Sequence, residues 1–200
     1  MNLENRFHFG LKVVVIGQNI DLTKKFIESV PGVEIDPNET FRFLKVYSFP
    51  LYVSDSLILR IDLWALPEDV KQRGDAQLLC CDASIVFYIA ENENELLHLL
   101  SIYHKDIRAA NSQCHYVACG AINEDSLNAL SKASGFTIQQ IENMDPDRIA
   151  FVFKSTIAAV ISEIPNPPDP VFMLHKNVKL GSLLLDDPSY KRALRPSFPQ

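Results

Sequence analysis

The chain has no run approaching the ~18 apolar residues that a membrane-crossing helix needs. Its first residues, Met1-Asn2-Leu3-Glu4-Asn5-Arg6, lead into no apolar stretch of the kind a secretory signal uses. It offers no basic stripe: 19 Lys and Arg stand against 25 Asp and Glu, a formal net charge of −6. Nucleic acid is therefore not expected as the main partner, since no cationic surface is there to displace counterions. The four cysteines, Cys80, Cys81, Cys114 and Cys119, form no C-x-x-C pair. Cys80 and Cys81 are adjacent and would point to opposite sides of an element, and the set reads as buried, reduced thiols of a cytoplasmic protein. A zinc site from Cys114, His115 and Cys119 is the alternative, but it falls short of four ligands at recognised spacings. No G-x-S-x-G elbow occurs, and no cysteine stands in a recognised nucleophile context.

What is present reads as one domain with an appendage. At 200 residues, 47% hydrophobic and 22% charged, the chain can bury a sizeable core. Leu11 to Ile16 is a nearly unbroken β-branched run, as expected of a central strand covered on both faces. Leu22 to Val30 predicts a helix stopped by Pro31-Gly32. Phe41 to Tyr47 and Leu57 to Leu63 predict two strands, with Phe49-Pro50 and Ser54-Asp55-Ser56 as breakers between them. If they pair, they make an antiparallel hairpin. Ser84 to Ala90 predicts a second buried strand. Glu91 to Ala110 predicts a helix with Leu96, Leu97, Leu100, Tyr103 and Ile107 inward. His115 to Cys119 predicts a third short strand, Asp125 to Ala133 a helix closed by Gly135, and Phe136 to Ile141 a further strand. Arg148 to Ile164 predicts a long helix capped by Asp147. Strands alternating with helices imply a mostly parallel sheet with helices on both faces. Composition changes at Pro165: four prolines fall within 165–170, so 165–200 reads as an extended tail without its own core. Two apolar patches lie in it, Phe172-Met173-Leu174 and Leu183-Leu184-Leu185, each suited to docking on the domain or on a partner.

The first strand and helix carry the main functional signal. Gly17 to Lys24 matches the phosphate-loop spacing G-x-x-x-x-G-K-[ST], yet only the first Gly is kept: Leu22 replaces the second Gly, Thr23 the Lys, and Lys24 the hydroxyl residue. Such a loop needs small residues so that backbone N–H groups wrap phosphate, a Lys as point charge, and a hydroxyl on magnesium. Leu22 puts a branched side chain at the close-approach position. Asp21 puts negative charge where phosphate would lie. Lys24 cannot serve from one position on, because one helical residue is about a 100° rotation.

The order of elements, with Leu11-Lys12-Val13-Val14-Val15-Ile16-Gly17, the stretch from Leu59 to Glu68, Asp82 to Tyr88, and Tyr116 to Gly120, resembles the Ras-like small GTPases, in spacing the Rab branch. The resemblance covers roughly residues 10–164. It implies a Ras-like P-loop fold with a six-stranded sheet, a domain over 1–164 and the proline-rich tail over 165–200. It also implies where the chemistry is missing. Leu63 stands at the metal-linked Asp, with Asp62 one residue earlier and hence on the opposite side of a strand. Leu66 replaces the switch Gly, and Pro67 the water-orienting Gln. Ala121-Ile122-Asn123-Glu124 stands where the family reads the base with N-K-x-D. Each lost charge-assisted hydrogen bond is worth roughly 1.5–3 kcal/mol, so four or five losses remove on the order of 6–12 kcal/mol, about four to nine decades of affinity.

A pseudoGTPase follows as the first expectation: a scaffold or complex subunit in the cytoplasm that binds protein partners, without nucleotide, metal, other cofactor or catalytic residues. A divergent nucleotide-binding enzyme is the second, and a different doubly wound module, such as a receiver-like domain, the third. The expected partner surface is Phe41, Phe43, Tyr47, Trp64, Leu66 and Pro67, which in the family corresponds to the effector-reading face and has a hot-spot composition. Trp64 reads either as buried packing or as a partner-facing anchor after a strand end. His98 and His104 read as exposed or capping residues on different faces of a helix. Glu91, Glu93, Glu95, Asp186 and Asp187 read as solvated charge. The end Ser197-Phe198-Pro199-Gln200 has no Cys, so no prenyl membrane anchor is expected there.

Overall fold

A computed structural model describes residues 9–36, 44–54, 57–66 and 73–163. Phe41, Phe43, Pro67 and the tail 165–200 lie outside the described residues. Six strands form one sheet: β1 (Phe9–Gly17), β2 (Lys45–Ser54), β3 (Leu57–Leu66), β4 (Ile85–Ala90), β5 (His115–Gly120) and β6 (Thr137–Gln140). Their order is β2-β3-β1-β4-β5-β6. Every pairing is parallel except β2 with β3. The helices are α1 (Ile20–Glu28), α2 (Arg73–Cys80), α3 (Glu93–Leu99), α4 (Lys105–Ala110), α5 (Glu124–Ser134) and α6 (Pro146–Ser162). No described helix is long and apolar enough to cross a membrane.

The central strands are buried on both faces, which is why β1 and β4 read as continuous apolar runs. Alternation then splits their side chains between two cores. Val13, Val15, Phe87 and Ile89 pack with Phe26 and Ile27 of α1 and with Ile149, Val152 and Phe153 of α6. Val14, Ile16, Val86 and Tyr88 face the other way, against Ala76 and Cys80 of α2, Leu96 and Leu99 of α3, Ile107 of α4 and Leu127 of α5.

Several boundaries differ from the sequence reading for identifiable reasons. β2 runs straight through Pro50. It is an edge strand, where a missing N–H can face away from the only neighbour. β3 continues through Trp64 to Leu66, so Trp64 lies within the strand rather than after it. Helix α1 starts at Ile20, two residues earlier than read, because Asn19 caps it. The cap of α6 is Asp145, not Asp147; its carboxylate accepts from Arg148 N–H at 2.9 Å, and Pro146 takes the first helical position. Gly135 closes α5 in the left-handed conformation at φ 69°, as its position suggested.

The helix read over Glu91 to Ala110 is interrupted. Leu100–His104 forms a π-helical turn between α3 and α4. The buried positions are Leu96, Leu99, His104, Ile107 and Asn111. The five-residue step from Leu99 to His104 is the extra residue of the π turn. It carries His104 into the core, where the uninterrupted periodicity had put Tyr103.

Candidate functional site

At the C-terminal ends of the strands, where a doubly wound sheet commonly receives ligands, the β1–α1 connection is only Gln18 and Asn19. No wide loop remains to wrap a phosphate. The helix is closed on itself: Asn19 Oδ1 accepts from Leu22 N–H at 3.1 Å, and the Asn19 carbonyl receives both the N–H and the hydroxyl of Thr23 at 2.9 Å. Thr23, at the position of the phosphate-binding Lys, is 4% exposed. Its Oγ1 lies 2.3 Å from where a Cβ on Gly17 would be, so Gly17 is required by the close approach of Thr23. Thr23 takes the place next to Gly17; Leu22 packs from a half-buried position on the core beneath α1, as does Ile20.

The charges nearby point elsewhere. Asp21 lies in the first turn of α1, where its carboxylate occupies the favourable end of the helix dipole. Lys24 Nζ reaches along the helix to Glu28 Oε1 at 3.7 Å. Lys25 Nζ donates to the Asn143 carbonyl at 2.8 Å. That bond ties α1 to the turn after β6, where Asn143 and Met144 both hold positive φ, 50° and 49°. Met144 is buried with the α1 side chains. The Gln18 amide is hydrogen-bonded to His98 Nδ1, joining the β1–α1 turn to α3.

The other positions singled out by the resemblance are likewise occupied. Leu63 is fully buried. Asp62, half-buried on the opposite face, accepts from Arg60 Nε at 2.9 Å and Ser48 Oγ at 2.6 Å. Ile122 is buried in the second core, and Asn123 caps α5 by accepting from Asp125 N–H at 3.0 Å.

Of the six residues read as a partner surface, Tyr47, Trp64 and Leu66 are described, and Tyr47 lies on the opposite face of the sheet from Trp64 and Leu66. Tyr47 pairs across from Leu63 and packs on the α1/α6 core. Trp64 pairs across from Val46 on the other face, half-buried. Lys12 Nζ sits 4.2 Å from the Trp64 ring centroid and 2.7 Å from Asp82 Oδ1. Leu66 is 4% exposed and belongs to the second core, so it offers no side chain to a partner. The large apolar side chains exposed at this edge are instead Leu44, Val46 and Tyr52.

The sequence reading also missed a buried polar network. His104, expected to be exposed or capping, is 5% exposed. Its Nε2 lies 2.8 Å from the Ser134 carbonyl, which can only accept, so Nε2 carries the proton. Nδ1, 3.1 Å from Tyr88 Oη, then accepts from the hydroxyl. Tyr88, Tyr116 and Phe136 meet the imidazole edge-on, at centroid distances of 5.6, 5.0 and 5.6 Å. Burial lowers the His104 pKa, the Ser134 carbonyl opposes that, and the Arg108 charge adds to it. Asn111, wholly buried, donates from its side-chain amide to the carbonyls of Cys80 and Ala83, both at 2.9 Å, and its backbone carbonyl accepts from Tyr116 Oη at 2.6 Å. The available signal was an imidazole and an amide close to the inward stripe of an apolar helix.

Cys80, Cys114 and Cys119 are buried and free, whereas Cys81 is exposed, against the expectation for all four. Burial pushes the Cys80 thiol up to about 12 and those of Cys114 and Cys119 upward as well, so these three are poor nucleophiles. Among the described residues, no group of three His, Cys, Asp or Glu is placed to hold a metal ion. No protein-family model matches this chain, and no curated protein sequence is significantly similar to it.

Proposed function

We propose that this chain is a pseudoGTPase: a Ras-like scaffold that binds protein partners and neither holds nor hydrolyses guanine nucleotide. The sheet order with a single antiparallel edge strand, and two helices on one face against four on the other, support the Ras-like reading. The observation that carries the loss of nucleotide is the two-residue β1–α1 connection with Thr23 packed against Gly17. Leu63 and Ile122 support it, because a buried hydrocarbon stands at the metal-linked position and at the Lys of the base-reading motif.

The partner surface in this reading is the β2 edge. Val46 and Tyr52 are 46% and 60% exposed, with Trp64 across from Val46. Phe41, Phe43 and Pro67 remain part of it as expectations from sequence. With nothing to switch it, the surface binds constitutively. Purified protein is expected to carry no GTP or GDP in a denaturing extract, and its melting temperature is expected not to rise when either is added with magnesium, because a ligand that binds only the folded state must raise it. A stoichiometric guanine nucleotide would overturn this reading.

A further inference from the structure

We propose that Leu183-Leu184-Leu185-Asp186-Asp187 of the tail docks, within the same molecule, into the groove between the π turn and α5. The groove holds about 640 Å³ and is floored by His104. Leu97, Leu100, Leu130 and Ala133 give it apolar walls, and Leu97 and Leu130 are each 37% exposed. Its lining includes two cations, Lys105 and Arg108, and no carboxylate. That is a local positive charge on a chain of net charge −6. Arg108 Nη1 donates to the Ala133 carbonyl at 3.3 Å, an uncharged partner, and no carboxylate of the described residues pairs with it.

An apolar groove with a cationic rim fits an apolar segment joined to carboxylates. In 164–200 the run Leu183 to Asp187 has that character, three leucines followed by two aspartates. The other apolar patch, Phe172-Met173-Leu174, continues into His175 and Lys176, whose charge would meet like charge at the rim. The path is also short enough. Glu163, the last described residue, lines a second groove that shares Ser112 with this one. Leu183 follows Glu163 by twenty residues, which extended span up to about 66 Å. Covalent connection makes the docking intramolecular, so modest contacts suffice. The inference does not depend on the nucleotide reading.

The test is hydrogen–deuterium exchange on the full chain, read at the amides of 97–109 and 130–134. Leu183→Asp/Leu184→Asp/Leu185→Asp is expected to raise exchange there by about fivefold or more, as removal of a cover from a locally opening surface should. Lys105→Glu is expected to do the same to a smaller extent, and Lys105→Glu/Asp186→Lys/Asp187→Lys to restore protection. Exchange unchanged in the triple leucine variant overturns the proposal. So does deprotection by Phe172→Asp/Met173→Asp instead, which would assign the groove to the other patch. Protection that grows with protein concentration also overturns it, because the occupant would then be a second copy.

Discussion

On the face covered by α1 and α6 the buried side chains are almost entirely hydrocarbon: Phe87 stacks on Phe153 and meets Phe26 at a tilt, with Ile27, Ile149 and Val152 around them. On the face covered by α2, α3, α4 and α5, the core carries His104, Asn111, Tyr88 and Tyr116 in a hydrogen-bonded set. The first kind of core supplies stability through area and packing and tolerates changes that keep volume. The second fixes which groups meet, and each missing partner leaves a buried polar atom exposed to its full desolvation cost. The same division places the groove and the π turn on the polar face. The closed β1–α1 turn lies above the hydrocarbon one.

The largest expected effect is on the hydrocarbon face. Phe153 is fully buried, with its ring centroid 6.0 Å from Phe87 and 6.5 Å from Phe49. Phe153→Ala should destabilise by about 3–5 kcal/mol in urea unfolding, whereas Phe153→Leu should cost far less, since it keeps most of the volume. An equal cost for both would mean that this face depends on specific ring geometry, and the contrast between the faces would fail.

Asn111→Ala on the other face removes little volume but strips two carbonyls of their donor. A loss of about 1–3 kcal/mol is expected by the same unfolding assay, and Asn111→Leu, larger but apolar, should not rescue it. Rescue by leucine would show that packing rather than hydrogen bonding fills that corner.

The polar face should also make stability depend on pH. The folded pKa of His104 is lowered below the ordinary value of about 6.5. Between the two values the unfolded chain binds the extra proton, so the His104 contribution is fully present above about pH 6.5 and is lost as pH falls toward the folded value. His104 faces Tyr88 on β4 and Tyr116 on β5, with Lys105 and Arg108 on α4, and among these the nearby charges are cationic, which works in the same direction. Unfolding free energy measured from pH 7.5 to 5.5 should fall, and the fall should shrink in His104→Gln. An identical slope in that variant would place the titration elsewhere.

The hydrocarbon face was the more legible in sequence. Period-two runs such as Val13-Val14-Val15-Ile16 and the spacing of Ile149, Val152, Phe153 and Ile157 state burial directly, because apolar residues have few other places to go. The polar face was not, since His104 and Asn111 are residues that most often face water and only their position argues otherwise. The π turn shifted the inward position from Tyr103 to His104, and no local propensity marks such an insertion. At the candidate site, sequence placed Gly17 at the end of the first strand and Lys24 within the helix that follows. It started the helix at Leu22, two residues late, because the Asn19 cap lets α1 begin three residues after Gly17. Tyr47 and Trp64 looked like one patch because sequence distance hides which side of a sheet each residue faces.

The smallest expected effect is at Lys24, and it sharpens the comparison because it asks whether the end of α1 has any role beyond packing. Lys24 is partly exposed and meets Glu28 one turn on, a surface pair worth about 0.3–0.5 kcal/mol. Lys24→Ala should therefore move stability by no more than that. Salt should erase most of the difference, since the pair is solvent-screened. A true phosphate lysine behaves differently: its ammonium is held at an anion site, and removing it unsettles the loop around it. Thr23→Ala provides the contrast. It leaves Lys24 intact but removes the hydroxyl packed against Gly17, and it should cost more than Lys24→Ala, measured side by side in urea. If Lys24→Ala proves the more damaging of the two, or if added phosphate stabilises the wild-type chain and not Lys24→Ala, the turn is an anion site after all and α1 is not merely a packed helix.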